Sequence, residues 1–193
     1  MNSRTQTITI SGPVGQIQLS IDLPESLKQN PHTELRGLAL IAHPHPLFGG
    51  TMDNKVVQTL ARAFVQCGWT AVRFNFRGVG ATEGAHDEGR GELKDLLSVI
   101  EQVAPAGEGA QPLALAGFSF GAIVTSHALA TLWPQRSMTT CVTAVVRGST
   151  SVKLVLRRKG QNIDVPLTRE LIELHEKLLE TLINGLLPQP AAG

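Results

Sequence analysis

The sequence predicts an α/β fold, a three-layer sandwich in which a mainly parallel sheet is covered by helices on both faces. Three observations support this prediction. Continuous apolar runs such as residues 37–42 are typical of strands that are buried on both sides. Predicted strands begin at residues 38, 70, 113 and 141, with helical patterns between them, which is the spacing of successive βαβ units. Alternating residues on both sides of a Gly/Pro turn also predict an N-terminal antiparallel hairpin.

We predict the individual elements from the periodicity of the hydrophobic residues, from helix-capping residues, and from the glycines and prolines that end helices and strands. In chain order they are a hairpin (5–10 and 16–23), strand 37–42, helix 54–66, strand 70–76, helix 91–103, strand 113–116, helix 121–132, strand 141–146, a polar hairpin (151–157 and 161–165) and an amphipathic helix (168–187). We expect one domain over residues 1–193, with a typical core at 37–146 and an atypical, shortened C-terminal segment at 147–193.

Composition excludes several functional classes. The chain has 17 Lys and Arg against 16 Asp and Glu, a net charge of +1, and its only local basic run is Arg157-Arg158-Lys159. Since a duplex-binding surface needs clustered positive charge, we expect no nucleic-acid partner. Residues 1–10 lack the apolar region of a signal peptide, and no apolar run is long enough to cross a membrane. With only two cysteines, far apart, a reduced cytoplasmic setting without a membrane partner is expected.

Gly117-Phe118-Ser119-Phe120-Gly121 is the motif that points to chemistry. It follows a predicted strand directly and opens a predicted helix, which is the context of a nucleophile elbow. Small residues are needed there because the backbones of the strand and of the helix approach closely. Ser119 is then exposed at the helix N-terminus, where developing negative charge is favoured. The alternative is that any glycine-rich junction between a strand and a helix needs small residues. The position favours Ser119 as a nucleophile.

The loop that follows the first parallel strand, residues 43–54, is the candidate for the other half of an oxyanion hole. Acyl transfer needs a backbone N–H from such a loop, together with the N–H of Phe120. Pro44 and Pro46 have no N–H, so Leu47 or Phe48 is expected to donate, and we assign Leu47. His43 and His45 could also suggest a metal, but no Cys, Asp or Glu completes a ligand set, so no metal site is expected.

The glycines at 78, 80 and 84 resemble a dinucleotide fingerprint only loosely. Their spacing is G-x-G-x-x-x-G, one residue too long, and no helix begins at once. The sequence also lacks a G-x-x-x-x-G-K-[ST] phosphate loop. Nucleotide binding is therefore the weaker alternative, and no cofactor is expected.

Taken together, the loop at 43–54, the segment at 75–84 and the motif at 117–121 resemble those of small lidless α/β-hydrolases related to dienelactone hydrolase and to the CocE/NonD-type hydrolases. The resemblance covers residues 37–132. It implies a serine hydrolase fold, no metal or organic cofactor, and an ester or similar acyl bond as the substrate. Ser119 matches the family nucleophile, and the loop after His43 matches the oxyanion loop.

The C-terminal part departs from that family, because neither its acid-loop pattern nor its histidine-loop pattern is present. Asp164 and His175 are the acid and imidazole in the right order after the elbow, so the expected triad is Ser119, Asp164 and His175. His127 lies about 12 Å along the predicted helix from Ser119, and His86 is assigned to a surface loop.

Two questions stay open at this point. The base could instead be His43 or His45, from the loop after the first parallel strand. The chain could also be a non-catalytic binding or interaction protein on the same scaffold, without a working acid–base pair. If it is catalytic, the partner is a small-molecule acyl substrate, and the aliphatic face of helix 168–187 could form a homodimer.

Overall fold

The computed structural model describes residues 5–30, 33–108, 110–132, 139–145 and 153–157. Its elements are, in chain order, β1 (Thr5–Gly12), β2 (Gly15–Asp22), α1 (Ser26–Gln29), β3 (Leu38–Ala42), a 3₁₀ helix (Pro46–Phe48), α2 (Lys55–Gln66), β4 (Thr70–Phe74), α3 (Arg90–Val103), β5 (Leu113–Phe118), α4 (Phe120–Leu132), β6 (Thr139–Val145) and β7 (Lys153–Arg157).

The described strands form one sheet in the order β1-β2-β4-β3-β5-β6-β7. β4, β3, β5 and β6 run parallel at its centre. The hairpin of β1 and β2 adds one antiparallel edge through β2 and β4, and β7 adds the other through β6. The carboxyl ends of the four parallel strands therefore meet at one edge of the sheet, which is where ligands bind in open α/β sheets.

Two hydrophobic clusters, one on each face of the sheet, hold the helices in place. β3 is buried along its whole length and alternates between them, with Leu40 in one cluster and Ile41 in the other. Leu40 packs in the cluster that contains Leu96 of α3 and Val124 of α4, whereas Ile41 packs in the cluster that contains Phe64 of α2. This arrangement is the helix–sheet–helix sandwich, and it explains the continuous apolar runs of β3 and β5.

The predicted α/β class and the N-terminal hairpin are confirmed, with small differences at element ends. β4 ends at Phe74, two residues earlier than predicted, because the backbone of Asn75 and Phe76 turns into the following loop. β7 pairs with β6, whereas its predicted partner, residues 161–165, lies outside the described residues. The predicted helix 168–187 also lies outside them.

Candidate active site

Ser119 occupies the single-residue turn between β5 and α4, at the carboxyl edge of the parallel strands. Its backbone has a φ of +56°, in the left-handed region that residues other than glycine seldom adopt. Such a conformation costs free energy and persists only where the surrounding structure imposes it. The side chain is half-buried, so the hydroxyl is held at a strained junction close to the surface.

The two flanking glycines explain how this turn is enforced. A Cβ on Gly117 would collide with backbone atoms of Gly121 and Ala122 in the first turn of α4. A Cβ on Gly121 would collide with the carbonyl groups of Ala42 and His43, at the end of β3. The G-x-S-x-G spacing therefore allows α4 to begin in direct contact with both β5 and β3.

The first turn of α4 leaves a backbone donor beside Ser119. Ala122 N–H donates to the Ser119 carbonyl at 3.0 Å, as a helix start requires. Phe120 N–H, one residue after Ser119, makes no hydrogen bond to any other described residue. The first amides of a helix have no partner within the helix, and they favour anions.

The loop after β3 is closed by hydrogen bonds of its own. Leu47 N–H donates to His45 Nδ1 at 3.3 Å, while Phe48 N–H and Gly50 N–H both donate to the His45 carbonyl at 3.1 Å. By contrast, His45 N–H has no partner within the described part of the chain. The Leu47 amide predicted for the oxyanion hole is therefore paired with an imidazole in this structure, and the neighbouring His45 amide is open.

His43 is a structural histidine. Its side chain is fully buried, Nδ1 lies 2.6 Å from the Pro44 carbonyl, and Nε2 accepts the Phe76 N–H at 3.0 Å. Since Nε2 accepts, Nδ1 carries the proton and donates. Burial lowers the pKa of His43 to about 4, against the smaller opposing effect of the Pro44 hydrogen bond. With both ring nitrogens engaged, His43 links the ends of β3 and β4 and has no nitrogen left for a substrate.

Polar side chains after β4 fix the neighbouring loops. Asn75 Oδ1 accepts the Met52 N–H at 2.8 Å, which holds the far end of the loop after β3. Arg77 makes two hydrogen bonds to Asp95 of α3, at 2.8 and 2.7 Å, and all of these groups are buried. The Asp95 carboxylate raises the pKa of Arg77, so the guanidinium stays charged.

His86 is the residue at this edge that sequence patterns misplace. It was assigned to a surface loop, but its side chain is only 12% exposed and its ring packs against those of His45 and Phe120, with centroids 4.8 and 5.6 Å away. The signal that could have revealed it is Glu92, three residues after Gly89. At this spacing a Glu side chain accepts backbone N–H groups at the start of a helix. Here Glu92 accepts those of Asp87 and Gly89, which holds residues 86–89 against the first turn of α3.

The remaining predicted groups lie elsewhere. Asp164 and His175 are outside the described residues, so the structure neither joins them to Ser119 nor separates them from it. A cavity of about 550 Å³ lies between the hairpin and α2, where Ser20, Asp53 and Arg73 contribute to its lining, and Ser119 does not line it. Among the described residues, no three His, Cys, Asp or Glu side chains are grouped as metal ligands.

Comparison with known proteins places the chain in a family. Residues 37–186 match the family described as serine aminopeptidase, S33. The chain belongs to this family. It has the α/β-hydrolase fold and is a member of a serine hydrolase family. In the described part of the chain, no helix has the length and apolar character needed to span a bilayer.

Two solved structures and one curated relative illustrate the similarity. A serine hydrolase without a lid from Xanthomonas campestris is 30% identical, with a TM-score of 0.64 over 98% of this chain and 99% of that one. A serine hydrolase homologue from Coxiella burnetii is 39% identical, with a TM-score of 0.59 over 72% of this chain and 61% of that one. An uncharacterised protein of Rickettsia prowazekii is 44% identical over 85 residues, which are 44% of this chain and 36% of that protein.

Proposed function

We propose that the protein is a carboxylic ester hydrolase with Ser119 as its nucleophile. The observation that carries the proposal is the left-handed backbone of Ser119, held by the close contacts of Gly117 and Gly121 at the end of a buried parallel strand. A strained serine between a strand and a helix matches the nucleophile elbow of serine hydrolases. The membership of the chain in a serine hydrolase family supports the same assignment.

The reaction follows from this placement. Ser119 Oγ attacks the ester carbonyl carbon while an imidazole takes the hydroxyl proton. The carbonyl oxygen becomes an oxyanion that accepts hydrogen bonds from backbone N–H groups. Collapse of the tetrahedral intermediate breaks the ester bond, and the imidazolium returns the proton to the leaving alcohol. Water then attacks the acyl-enzyme by the reverse sequence, which releases the acid and restores Ser119.

For the oxyanion hole we propose Phe120 N–H and a donor from the loop after β3. The sequence assigns Leu47, whose amide would have to leave His45 Nδ1 in order to serve. His45 N–H needs no such change, because it has no partner among the described residues and belongs to a loop whose start lies against the first turn of α4. We therefore place His45 N–H first and Leu47 N–H second.

For the acid–base pair we retain Asp164 and His175. His43 is a poor candidate because both of its ring nitrogens are engaged. His45 remains the alternative base, although its Nδ1 already accepts the Leu47 N–H. The proposed substrate is a small-molecule acyl ester, and no cofactor takes part in any step above. Cytoplasmic localisation and a homodimer through residues 168–187 remain predictions from sequence.

A fluorophosphonate probe tests the nucleophile directly. We expect labelling of the folded protein, its loss in Ser119→Ala, and retention in Ser126→Ala, a matched serine on α4, the helix that Ser119 precedes, whose hydroxyl donates to the Ala122 carbonyl. His175→Ala should lower kcat on p-nitrophenyl acetate by about 10⁴-fold or more, with a smaller change in KM. If His175→Ala is labelled normally but His45→Gln is not, the base is His45.

Two further results would change the proposal. The matched family is described by an aminopeptidase activity, so hydrolysis of leucine p-nitroanilide in preference to p-nitrophenyl esters would replace the esterase by a peptidase. Folded protein that neither reacts with the probe nor hydrolyses any activated ester would instead support the non-catalytic binding protein.

A further inference from the structure

Four aromatic rings lie side by side at the carboxyl edge of the sheet, and we call them the ring wall. They come from three different segments: His45 and Phe48 after β3, His86 after β4, and Phe120, the first residue of α4, which follows Ser119 directly. The His45 ring is at the centre, with centroids 4.8 Å from Phe48, 4.8 Å from His86 and 4.7 Å from Phe120. These spacings are those of favourable tilted and offset ring pairs.

The ring wall is anchored from behind. The Phe120 ring packs edge-on against Phe76, which is fully buried, at 5.6 Å. Behind His86 is Glu92, a fully buried carboxylate that accepts the N–H groups of Asp87 and Gly89 at 2.9 and 2.8 Å. His86 Nδ1 lies 2.8 Å from Glu92 Oε1, an ion-pair distance without hydrogen-bond alignment. These supports hold the inner rings in place before any ligand binds.

The outer end of the ring wall is left open to solvent. Phe48 is 86% exposed although its ring contacts His45, and it follows the loop residues that carry the proposed oxyanion donors. A phenylalanine this exposed, joined through the His45 ring to Phe120 beside Ser119, offers a flat apolar surface that a substrate can cover. Arg77 is bound by Asp95, and Arg90 lies 3.6 Å from both Asp87 and Glu88, so neither arginine is free to bind an anionic group. We therefore assign a neutral group to this surface.

The strand order indicates which part of an ester reaches the ring wall. Ser119 follows β5, and the loops after β3 and β4 lie on one side of it, while β6 and β7 lie on the other. The leaving alcohol must face the imidazole that returns its proton. If His175, which follows β7 in the sequence and lies outside the described residues, approaches Ser119 from the side of β6 and β7, the alcohol is directed away from the ring wall and the acyl group towards it.

We propose that the ring wall formed by His45, Phe48, His86 and Phe120 binds a neutral aromatic acyl group, so that the preferred substrates are alkyl esters of arylalkanoic acids. This inference rests on the proposed role of Ser119 as nucleophile. It goes beyond that role because it names the acyl group that is selected and the side chains that select it.

Two esters of similar size, one with an aromatic and one with a saturated ring, test the ring preference. We expect kcat/KM for methyl phenylacetate to exceed that for methyl cyclohexylacetate by about 2- to 10-fold, the range of an aromatic pair beyond its area. Phe48→Leu keeps an apolar side chain but removes the ring, so this ratio should fall towards 1. Val14→Ala, at another exposed apolar residue, should leave the ratio intact. A ratio near 1 in the wild type, or one that Phe48→Leu does not change, overturns the proposal.

Two more measurements separate the possible failures. Phe48→Leu should lower kcat/KM less for phenyl acetate, whose ring is in the leaving group, than for methyl phenylacetate. An equal loss for both esters would overturn the acyl assignment. If the wild type hydrolyses no ester, binding of methyl phenylacetate to Ser119→Ala, measured by NMR, still tests the ring wall as a binding site. Binding that is weakened by Phe48→Leu would support the ring wall and contradict the proposed hydrolase activity. Absence of binding would contradict both proposals.

Discussion

At the scale of single residues, His43 shows how a motif histidine can serve the fold. The ring donates to one backbone carbonyl and accepts from one backbone amide, and it is surrounded by core atoms. Protonation of Nε2 would place a second hydrogen opposite the Phe76 N–H and would bury a charge. Both effects disfavour the imidazolium, in agreement with a pKa of about 4.

This histidine should make the protein less stable in acid. The unfolded chain binds the His43 proton near pH 6.5 and the folded chain near pH 4, so the unfolded state holds more protons between these values. The stabilisation is complete above pH 6.5 and is lost as the pH falls, by about 3 kcal/mol at pH 4. Urea unfolding at several pH values should show this slope in the wild type and a shallower one in His43→Gln.

The control for that experiment is His127→Gln, which alters an exposed histidine on α4 and should keep the wild-type slope. A slope in His43→Gln equal to that of the wild type would contradict the assignment, whatever the absolute stability of the variant.

At the scale of elements, the pair of Arg77 and Asp95 fastens α3 to the loop that leaves β4. The two side chains are 8% and 1% exposed, so both charges are removed from water. A Cβ on Gly91 would collide with the guanidinium, which shows how closely the first turn of α3 passes over it. A buried pair of this kind contributes little net stability compared with apolar residues, but the loss of one partner is costly.

We therefore expect Asp95→Ala to lower the free energy of unfolding by about 3 to 5 kcal/mol, because it leaves a buried guanidinium without its partner. The double variant Arg77→Met/Asp95→Leu should lose less than Asp95→Ala alone. Arg90→Ala, which removes an exposed pair, should change stability by less than about 1 kcal/mol. Chemical denaturation of all four proteins provides the measurement, and a double variant less stable than Asp95→Ala would refute the argument.

Elements whose determinants are local could be predicted from the sequence. β3 and β5 have unbroken apolar runs because both of their faces are covered, and the hairpin shows the alternation of an edge. The strained turn at Ser119 could be predicted because glycines at a fixed spacing leave few other structures. Each of these signals lies within about ten residues of the feature it specifies.

Features that depend on distant partners could not be predicted. His86 looks like a surface residue in the sequence because its neighbours, His45 and Phe120, lie in segments far along the chain. The pairing of Leu47 N–H with an imidazole depends on the 3₁₀ helix at Pro46–Phe48, which has no distinctive period. Asp164 and His175 remain predictions for the same reason, since only their order in the chain supports them.

At the scale of the whole molecule, a single sheet separates two cores. Leu40 contributes to the cluster beneath α3 and α4, and Phe64 to the cluster beneath α2, yet both clusters contain residues of β3. Because β3 contributes to both clusters, unfolding of either cluster would also expose the β3 residues that belong to the other. The described part of the chain should therefore unfold as one unit.

That expectation can be tested by weakening each core separately. Leu40→Ala should cost about 2 to 5 kcal/mol and Phe64→Ala about 3 to 5 kcal/mol. In both variants far-UV circular dichroism and tryptophan fluorescence should report the same urea midpoint. Val14→Ala, an exposed residue of the hairpin turn, should stay within about 0.5 kcal/mol of the wild type. Separate midpoints for the two probes in either core variant would show that the clusters unfold independently.

The role of His43 has a consequence for how such sequences are annotated. Its two backbone partners are supplied by the scaffold, and neither belongs to the reacting serine. Selection for folding alone is then sufficient to keep this histidine, even in a paralogue that has lost Ser119 and every trace of activity. Genome surveys that count the histidine–proline motif as a mark of an enzyme would include such paralogues, whereas surveys that also require a serine between the two elbow glycines would separate them.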